Sequence, residues 1–363
     1  MTDRTTTGEH CSFIPPYILD HIARVQAREG LEPSTTQRSA VVSAQFRRAR
    51  QNQMPVVPGA VEVGGPEGAA GGLRIPQPGS AGRMIYDNEH NWPPTYDTTF
   101  VRGEGDPTVA GENANKAYDD LGLVRQYYKE KLNRDSIDGE GLVIKANVNL
   151  GVSFDNAFWE PNLLLMAYGN GGPLFKDLTG DLDVSGHELT HGVTQFTCGL
   201  IYNYYQSGAL NESFSDMLGS AIDAWANNRN ADTHNWLIGE DIMDEQFYGE
   251  ALRNMAEPGT AYENALLGRD PQPRDMSGYY EPADPHMMSG ITNRWFYLIC
   301  KEIDIDAGAL IMYQTMQNLW PNADFSDAAA VATAQARILA QNKEVPAESA
   351  QVVRAAARQQ GFW

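Results

Sequence analysis

Cysteine is nearly missing from this chain: Cys11, Cys198 and Cys300 are the only three in 363 residues. So sparse and odd a set excludes a disulfide-built scaffold. Long apolar runs are also missing. No stretch reaches eighteen consecutive apolar residues, so no helical membrane span is expected. Basic residues are outnumbered, 27 Lys and Arg against 47 Asp and Glu, for a net charge of −20. That balance argues against nucleic acid as a partner, because phosphate binding needs a basic face, and against docking on an anionic membrane. The opening residues, MTDRTTTGEHCSFIPPY, carry neither the basic end nor the apolar core of a secretory signal. Secretion would therefore use another route, with a cytoplasmic location as the alternative.

The acidic excess is uneven. Residues 1–83 sum to +2 and residues 84–363 to −22, which marks a boundary. Residues 55–82 hold eight Gly and five Pro in 28 positions and read as a flexible linker. Ahead of it, Pro15–Pro16 open an amphipathic helix with Ile18, Leu19, Ile22, Ala23 and Val25 at helical spacing, and a second helix is expected over Ser39–Arg50. Residues 1–54 thus read as a small helical pro-segment, with a plain docking arm as the alternative. Beyond the linker, RMIYD at 83–87, LVIKANVN at 142–149, 154–159 and 163–168 read as strands around a long helix at 113–133. From Asp183 the pattern turns helical, over 183–199, 208–228, 287–303, 306–319, 326–342 and 346–359. The expected class is α+β, with a mixed subdomain at 83–182 and a helical one at 183–363.

Chemistry begins at that boundary. Residues 187–191 read His-Glu-Leu-Thr-His. On a helix, positions i and i+4 share one face, so His187 and His191 can reach one ion, and neutral imidazole suits Zn²⁺. Glu188, between them, is suited to take a proton from a water activated at the metal. Glu212, in GALNESFSD on the next expected helix, supplies the carboxylate of a His₂Glu zinc set. Asp216, one turn on, can receive the free N–H of a ligand histidine.

GHELTHGVTQFTCGLIY followed by SGALNESFSD resembles the thermolysin family of zinc metallopeptidases. NAFW at 156–159, WLIGED at 236–241 and ALRNMAEP at 251–258 strengthen the resemblance, which runs from about residue 84 to the C-terminus. CSFIPPYILDHIA further resembles the short pro-segment of protealysin-like members. The resemblance implies a two-domain fold with the zinc site in the cleft between a sheet-rich and a helical domain. It implies His187, His191 and Glu212 as zinc ligands, Glu188 as the base, and Tyr202 and His286 as donors to the tetrahedral oxyanion. It assigns Asn156, the Ala157 carbonyl and Arg253 to the substrate backbone. Phe175, Val184, Ile238 and Leu252 would line the pocket for the residue after the cut, giving a preference there for Leu, Phe or Ile. Asn211 and Asp216 would orient the histidines. The expected protein is a monomeric zymogen that hydrolyses peptides, is held inactive by its own pro-segment, and cuts itself between about Arg50 and Arg83.

Some residues depart from the family pattern. Around His286 the sequence is EPADPHMMSG, with Glu281 or Asp284 to orient the histidine. Asp183, Asp223 and Glu240 resemble a calcium site, although Asn235 and Leu237 replace acids there, which suggests one ion. Cys198 and Cys300 read as small core residues. Cys11 invites the hypothesis that a thiolate from the pro-segment caps the zinc. The rival functional readings are a thermolysin-like shell that only grips peptides, its His286 loop having lost catalysis, and an aminopeptidase, for which no amine-binding feature is seen.

Overall fold

The computed structural model describes residues 12–28, 39–41 and 82–363. The expected linker and most of the second helix lie outside these residues. Helix α1 (Pro16–Arg28) begins on a proline, whose fixed φ suits a first turn, and buries Pro16, Ile18, Leu19 and Ile22.

A five-stranded mixed sheet follows, in the order β2-β1-β3-β5-β4. Its strands are β1 (Arg83–Asp87), β2 (Thr99–Gly103), β3 (Ile144–Val148), β4 (Ala157–Glu160) and β5 (Leu165–Tyr168). Strand β2 was not among the expected elements. Five residues behind a Pro-containing loop carry too little alternation to stand out, and its place is fixed by antiparallel pairing with β1. β1 runs parallel to β3, and β3 parallel to β5, while β4 returns antiparallel at the edge. Helix α2 (Glu112–Leu132) covers the sheet with Ala117, Leu121, Val124, Tyr127 and Tyr128 buried.

Helices α3 (Leu182–Gln195) and α4 (Gln206–Ala226) form the centre of the second half. Both are buried nearly all round, the mark of helices enclosed by other layers. They touch at glycines: a Cβ on Gly186 would stand 2.9 Å from the Gly219 Cα. That approach brings the side chains of α4 within reach of the histidines of α3. Helices α5 (Pro285–Ile303), α6 (Ile305–Met316), α7 (Phe325–Gln341) and α8 (Ser349–Gln360) pack around the pair. Between α4 and α5 the chain forms two short hairpins, β6 (Leu237–Ile238) with β7 (Arg253–Asn254), and β8 (Glu263–Asn264) with β9 (Gly268–Arg269). The fold is thus a sheet-containing N-terminal domain and a helical C-terminal domain. No helix among the described residues is long and apolar enough to cross a membrane.

Candidate metal centre and peptide cleft

His187, Glu188 and His191 sit on one buried face of α3 with ligand atoms within 4.8 Å of each other. The two Nε2 atoms are 2.9 Å apart. Glu212 faces them from α4, its oxygens 3.4 Å from His187 Nε2 and 3.7 Å from His191 Nε2. The Nδ1 atoms are committed elsewhere. His187 Nδ1 meets Asp216 Oδ1 at 2.8 Å, and His191 Nδ1 meets Asn211 Oδ1 at 2.8 Å. Asn211 Nδ2 donates to the Leu200 carbonyl, so its oxygen faces the ring and His191 Nδ1 must be the donor. With the Nδ1 protons placed there, the two Nε2 lone pairs point at each other, a geometry that needs a proton or a cation between them. Two imidazoles and a carboxylate are a donor set that suits zinc.

The electrostatics say the same. Burial disfavours a charged His187, yet Asp216 and Glu212 together raise it to about 9. Burial would also raise Glu212, but the surrounding His286, His187 and His191 hold it well below the carboxylate range. Asp216, likewise penalised by burial, is held at about 2 by Arg253 and His187. It accepts from Arg253 Nε at 2.7 Å and Nη2 at 2.8 Å, and from Asn293 Nδ2 at 2.7 Å. Asn293, itself held by Ser213, was not anticipated, because a lone Asn inside a helical stretch carries no sequence signal.

Glu188 is fully buried, and its Oε2 accepts from the Trp159 amide at 2.9 Å, which fixes the carboxylate against the edge strand β4. On the far side of the site His286 begins α5. Its Nδ1 lies 2.8 Å from Asp284 Oδ1, and Asp284 also caps the helix by accepting from the His286 amide. Asp284, not Glu281, therefore orients the ring, while Glu281 pairs with the Tyr279 hydroxyl. Burial opposes a charged His286, but Glu212 and Asp284 raise it. The ring of Tyr202 lies between the histidines, its centroid 6.4 Å from those of His191 and His286.

Residues 12–14 lie in this cleft and pair with it through the backbone. The Phe13 amide donates to the Ala157 carbonyl at 3.0 Å. The Ile14 amide donates to Asn156 Oδ1 at 2.9 Å, and Asn156 Nδ2 donates to the Ile14 carbonyl at 3.2 Å and to Ser12 Oγ at 3.0 Å. Arg253 Nη1 reaches the Phe13 carbonyl at 3.3 Å, and His286 Nε2 the Ser12 carbonyl at 2.9 Å. The Phe13 ring is fully buried, edge-on to His187 at 5.2 Å. Gly239 (φ +73°) leaves it space, since a Cβ there would meet Leu252 at 2.9 Å and the Phe13 ring at 3.1 Å. Leu252 and Gly239 thus adjoin the Phe13 ring, and Val184, Ile238 and Phe175 are buried in the main core. Arg253 is at once the buried partner of an aspartate and a donor to a peptide carbonyl.

The expected calcium triad does not converge. Among the described residues, the close cluster of His, Cys, Asp or Glu ligand atoms is the one around His187, Glu188 and His191, and it does not include Asp183, Asp223 or Glu240. Glu240 takes Asn235 Nδ2 at 2.7 Å, and Asp223 takes Arg229 Nη1 at 3.1 Å and Asn227 Nδ2 at 2.7 Å. Asp183 Oδ2 accepts from the Gly239 amide. The carboxyls of Asp181 and Asp183 are both raised, chiefly by burial. Cys198 and Cys300 are buried free thiols, and Cys11 lies outside the described residues.

This fold and this site define a metalloendopeptidase. Residues 79–195 match the thermolysin metallopeptidase catalytic domain and residues 198–361 the thermolysin metallopeptidase alpha-helical domain. The chain belongs to the thermolysin family, and within it to the protealysin-like metallopeptidases. It is 35% identical over 329 residues to an extracellular metalloprotease of Pectobacterium carotovorum subsp. carotovorum, covering 87% of each chain. It is 40% identical over 224 residues to protease PrtS of Photorhabdus sp. (strain Az29), covering 59% of this chain and 58% of that one. The solved precursor of protealysin from Serratia proteamaculans superposes with a TM-score of 0.80 at 32% identity, covering 98% of this chain and 100% of that one.

Proposed function

We propose that this chain is a zinc endopeptidase made as a zymogen, which hydrolyses peptide bonds ahead of large apolar residues. The observation that carries it is the pair of Nε2 atoms 2.9 Å apart, each imidazole anchored at Nδ1 and both faced by Glu212. His187, His191 and Glu212 would hold the metal. When bound, zinc supplies the positive charge that polarises a carbonyl and acidifies water. Glu188, sealed from solvent and tied to the Trp159 amide, is the base that takes the water's proton and later delivers it to the leaving nitrogen. His286, its Nδ1 held by Asp284 and its Nε2 turned to the Ser12 carbonyl, donates to the oxyanion with Tyr202 beside it. Asn156, the Ala157 carbonyl and Arg253 hold an extended backbone, as they hold residues 12–14. The fully buried Phe13, beside Leu252 and Gly239, supports the apolar preference. Because residues 12–14 fill the cleft, substrate is excluded until the segment leaves. The bond that frees the mature enzyme is expected between about Arg50 and Arg83, outside the described residues. A relative named an extracellular metalloprotease supports export, and the reading needs one chain only.

The test is casein hydrolysis by processed protein, with and without phenanthroline, alongside Glu188→Gln. Glu188→Gln should keep one equivalent of zinc and lose at least about a hundredfold in rate. Undiminished hydrolysis by that variant, or by chelated protein, would refute the mechanism. A shell that bound peptides without cutting them would show no rate for Glu188→Gln to lower.

A further inference from the structure

Residues 12–14 do more than fill the cleft: they run through it with a definite polarity. A peptide is cut between the carbonyl that receives the developing charge and the nitrogen that leaves. The Ser12 carbonyl is the one bonded to His286 Nε2, and that same nitrogen lies 3.4 Å from Glu212 Oε2, at the mouth of the metal site. The next atom along the chain is the Phe13 nitrogen, which donates to Ala157. The next side chain, Phe13, fills the buried space between His187, Leu252 and Gly239. Its carbonyl meets Arg253, and Ile14 meets Asn156 through both its amide and its carbonyl. Carbonyl, nitrogen and apolar side chain therefore follow one another in the order a substrate requires. A segment lying the opposite way would turn a nitrogen toward His286.

We infer that Ser12–Phe13 is a bond this active site cuts, so that the pro-segment is both blocker and substrate. The inference rests on the zymogen reading above. Water adds across the amide: its oxygen bonds to the Ser12 carbonyl carbon, the C–N bond breaks, and both its protons end on the Phe13 nitrogen by way of Glu188. Ser12 leaves as a carboxylate and Phe13 as an ammonium. The cut does not by itself open the site, because Phe13, Ile14 and the buried face of α1 remain on their partners. The nicked protein is then a complex with its own product, and full release waits on the later cut beyond Arg50.

The experiment uses the full chain, purified free of metal and then given one equivalent of zinc, followed by intact mass and N-terminal sequencing. Wild type should accumulate a species beginning at Phe13 while Glu188→Gln stays whole. Phe13→Leu should be cut at a rate within about tenfold of wild type, and Phe13→Asp at least about a hundredfold slower. A second readout is independent of turnover. In zinc-loaded Glu188→Gln, hydrogen exchange at the Phe13 and Ile14 amides should be slow, and Phe13→Asp in that background should lose the protection with an unchanged melting temperature for the catalytic domain. A protein that hydrolyses casein once the segment is gone, yet leaves Ser12–Phe13 whole, overturns the inference and leaves the peptidase reading standing. Exchange at both amides as fast as in an unfolded chain also overturns it. A chain inert toward both bonds and casein overturns the peptidase mechanism instead.

Discussion

Two clusters of carboxylates adjoin helix α3, one beside its histidines and one at its N-terminus, and they behave in opposite ways. Beside the histidines of α3, Glu212 and Asp216 of α4 are held below their ordinary pKa values, because each faces cationic partners, His286, His187 and His191 for one, Arg253 and His187 for the other. At its N-terminus, Asp181 is raised by burial, Asp241 and Asp223, Asp183 is raised by burial and by Asp181, and nearby Asp120 is pushed up to about 8 by burial, Asp181 and Asp119. Burial penalises both sets alike. What differs is the partner, and the partner decides whether a buried acid is an anchor or a proton store.

The largest expected effect breaks the anchored cluster. Asp216→Ala would leave Arg253 buried without its counter-charge and should cost about 3–5 kcal/mol by urea unfolding. In the same variant zinc affinity should fall about 10–100-fold, since His187 loses the group that orients it. A loss under 1 kcal/mol would show that Arg253 finds another partner and that the contrast is overdrawn. Next comes the contact that aligns the cluster. Gly186→Ala sets a methyl 2.9 Å from the Gly219 Cα and should destabilise by about 1–3 kcal/mol. Asp183→Asn should do the reverse of Asp216→Ala, leaving stability at pH 8 unchanged or higher. Destabilisation as large as that of Asp216→Ala would place Asp183 among the anchors.

The pH dependence sharpens the comparison further. A carboxyl whose folded pKa is raised binds a proton in the native state that the unfolded chain has released, so its contribution weakens stability as pH climbs. For Asp120 that window runs from its ordinary carboxylate range up to about 8. Asp120→Asn should therefore raise the melting temperature at pH 8 and change it least near pH 4. Asp216, held at about 2, has the opposite sign: its contribution is complete above the ordinary range and is lost as pH falls toward 2. The smallest expected effect is that of calcium. With Asp223 and Glu240 already paired, millimolar calcium should move the melting temperature by less than about 2 °C. A rise well beyond that would show that the N-terminal acids gather around an ion after all.

Much of this was legible in the order of residues. The helices of the second half showed because apolar residues recur there at helical spacing, and their bounds fell within a few residues of those expected. Helix α3 ends at Gln195 rather than near 199, because the chain turns through Gly199 with φ +57°. The five-residue metal motif showed because its geometry is local, two imidazoles one turn apart. Strand β2 did not show, since a five-residue edge is defined by what it pairs with. Nor could the sequence tell the expected calcium acids apart: Asp183, Asp223 and Glu240 look alike there, and only packing reveals that Arg229 reaches Asp223, Asn235 reaches Glu240 and the Gly239 amide reaches Asp183.

The sequence by itself determined which chemistry was available: two histidines and a glutamate on one helix, a carboxylate on the next, a charge boundary near residue 83, and an amphipathic helix in front of it. Tertiary structure decided everything that depends on distance across the chain. It set the Phe13 carbonyl against Arg253, 240 residues away, and the Ser12 carbonyl against His286, 274 residues away. It gave Asp216 an arginine and Asp183 another acid. Backbone periodicity reaches only a few residues along a chain, whereas a hydrogen bond or a desolvated charge depends on what the fold packs against it, and that is not written in the neighbouring residues.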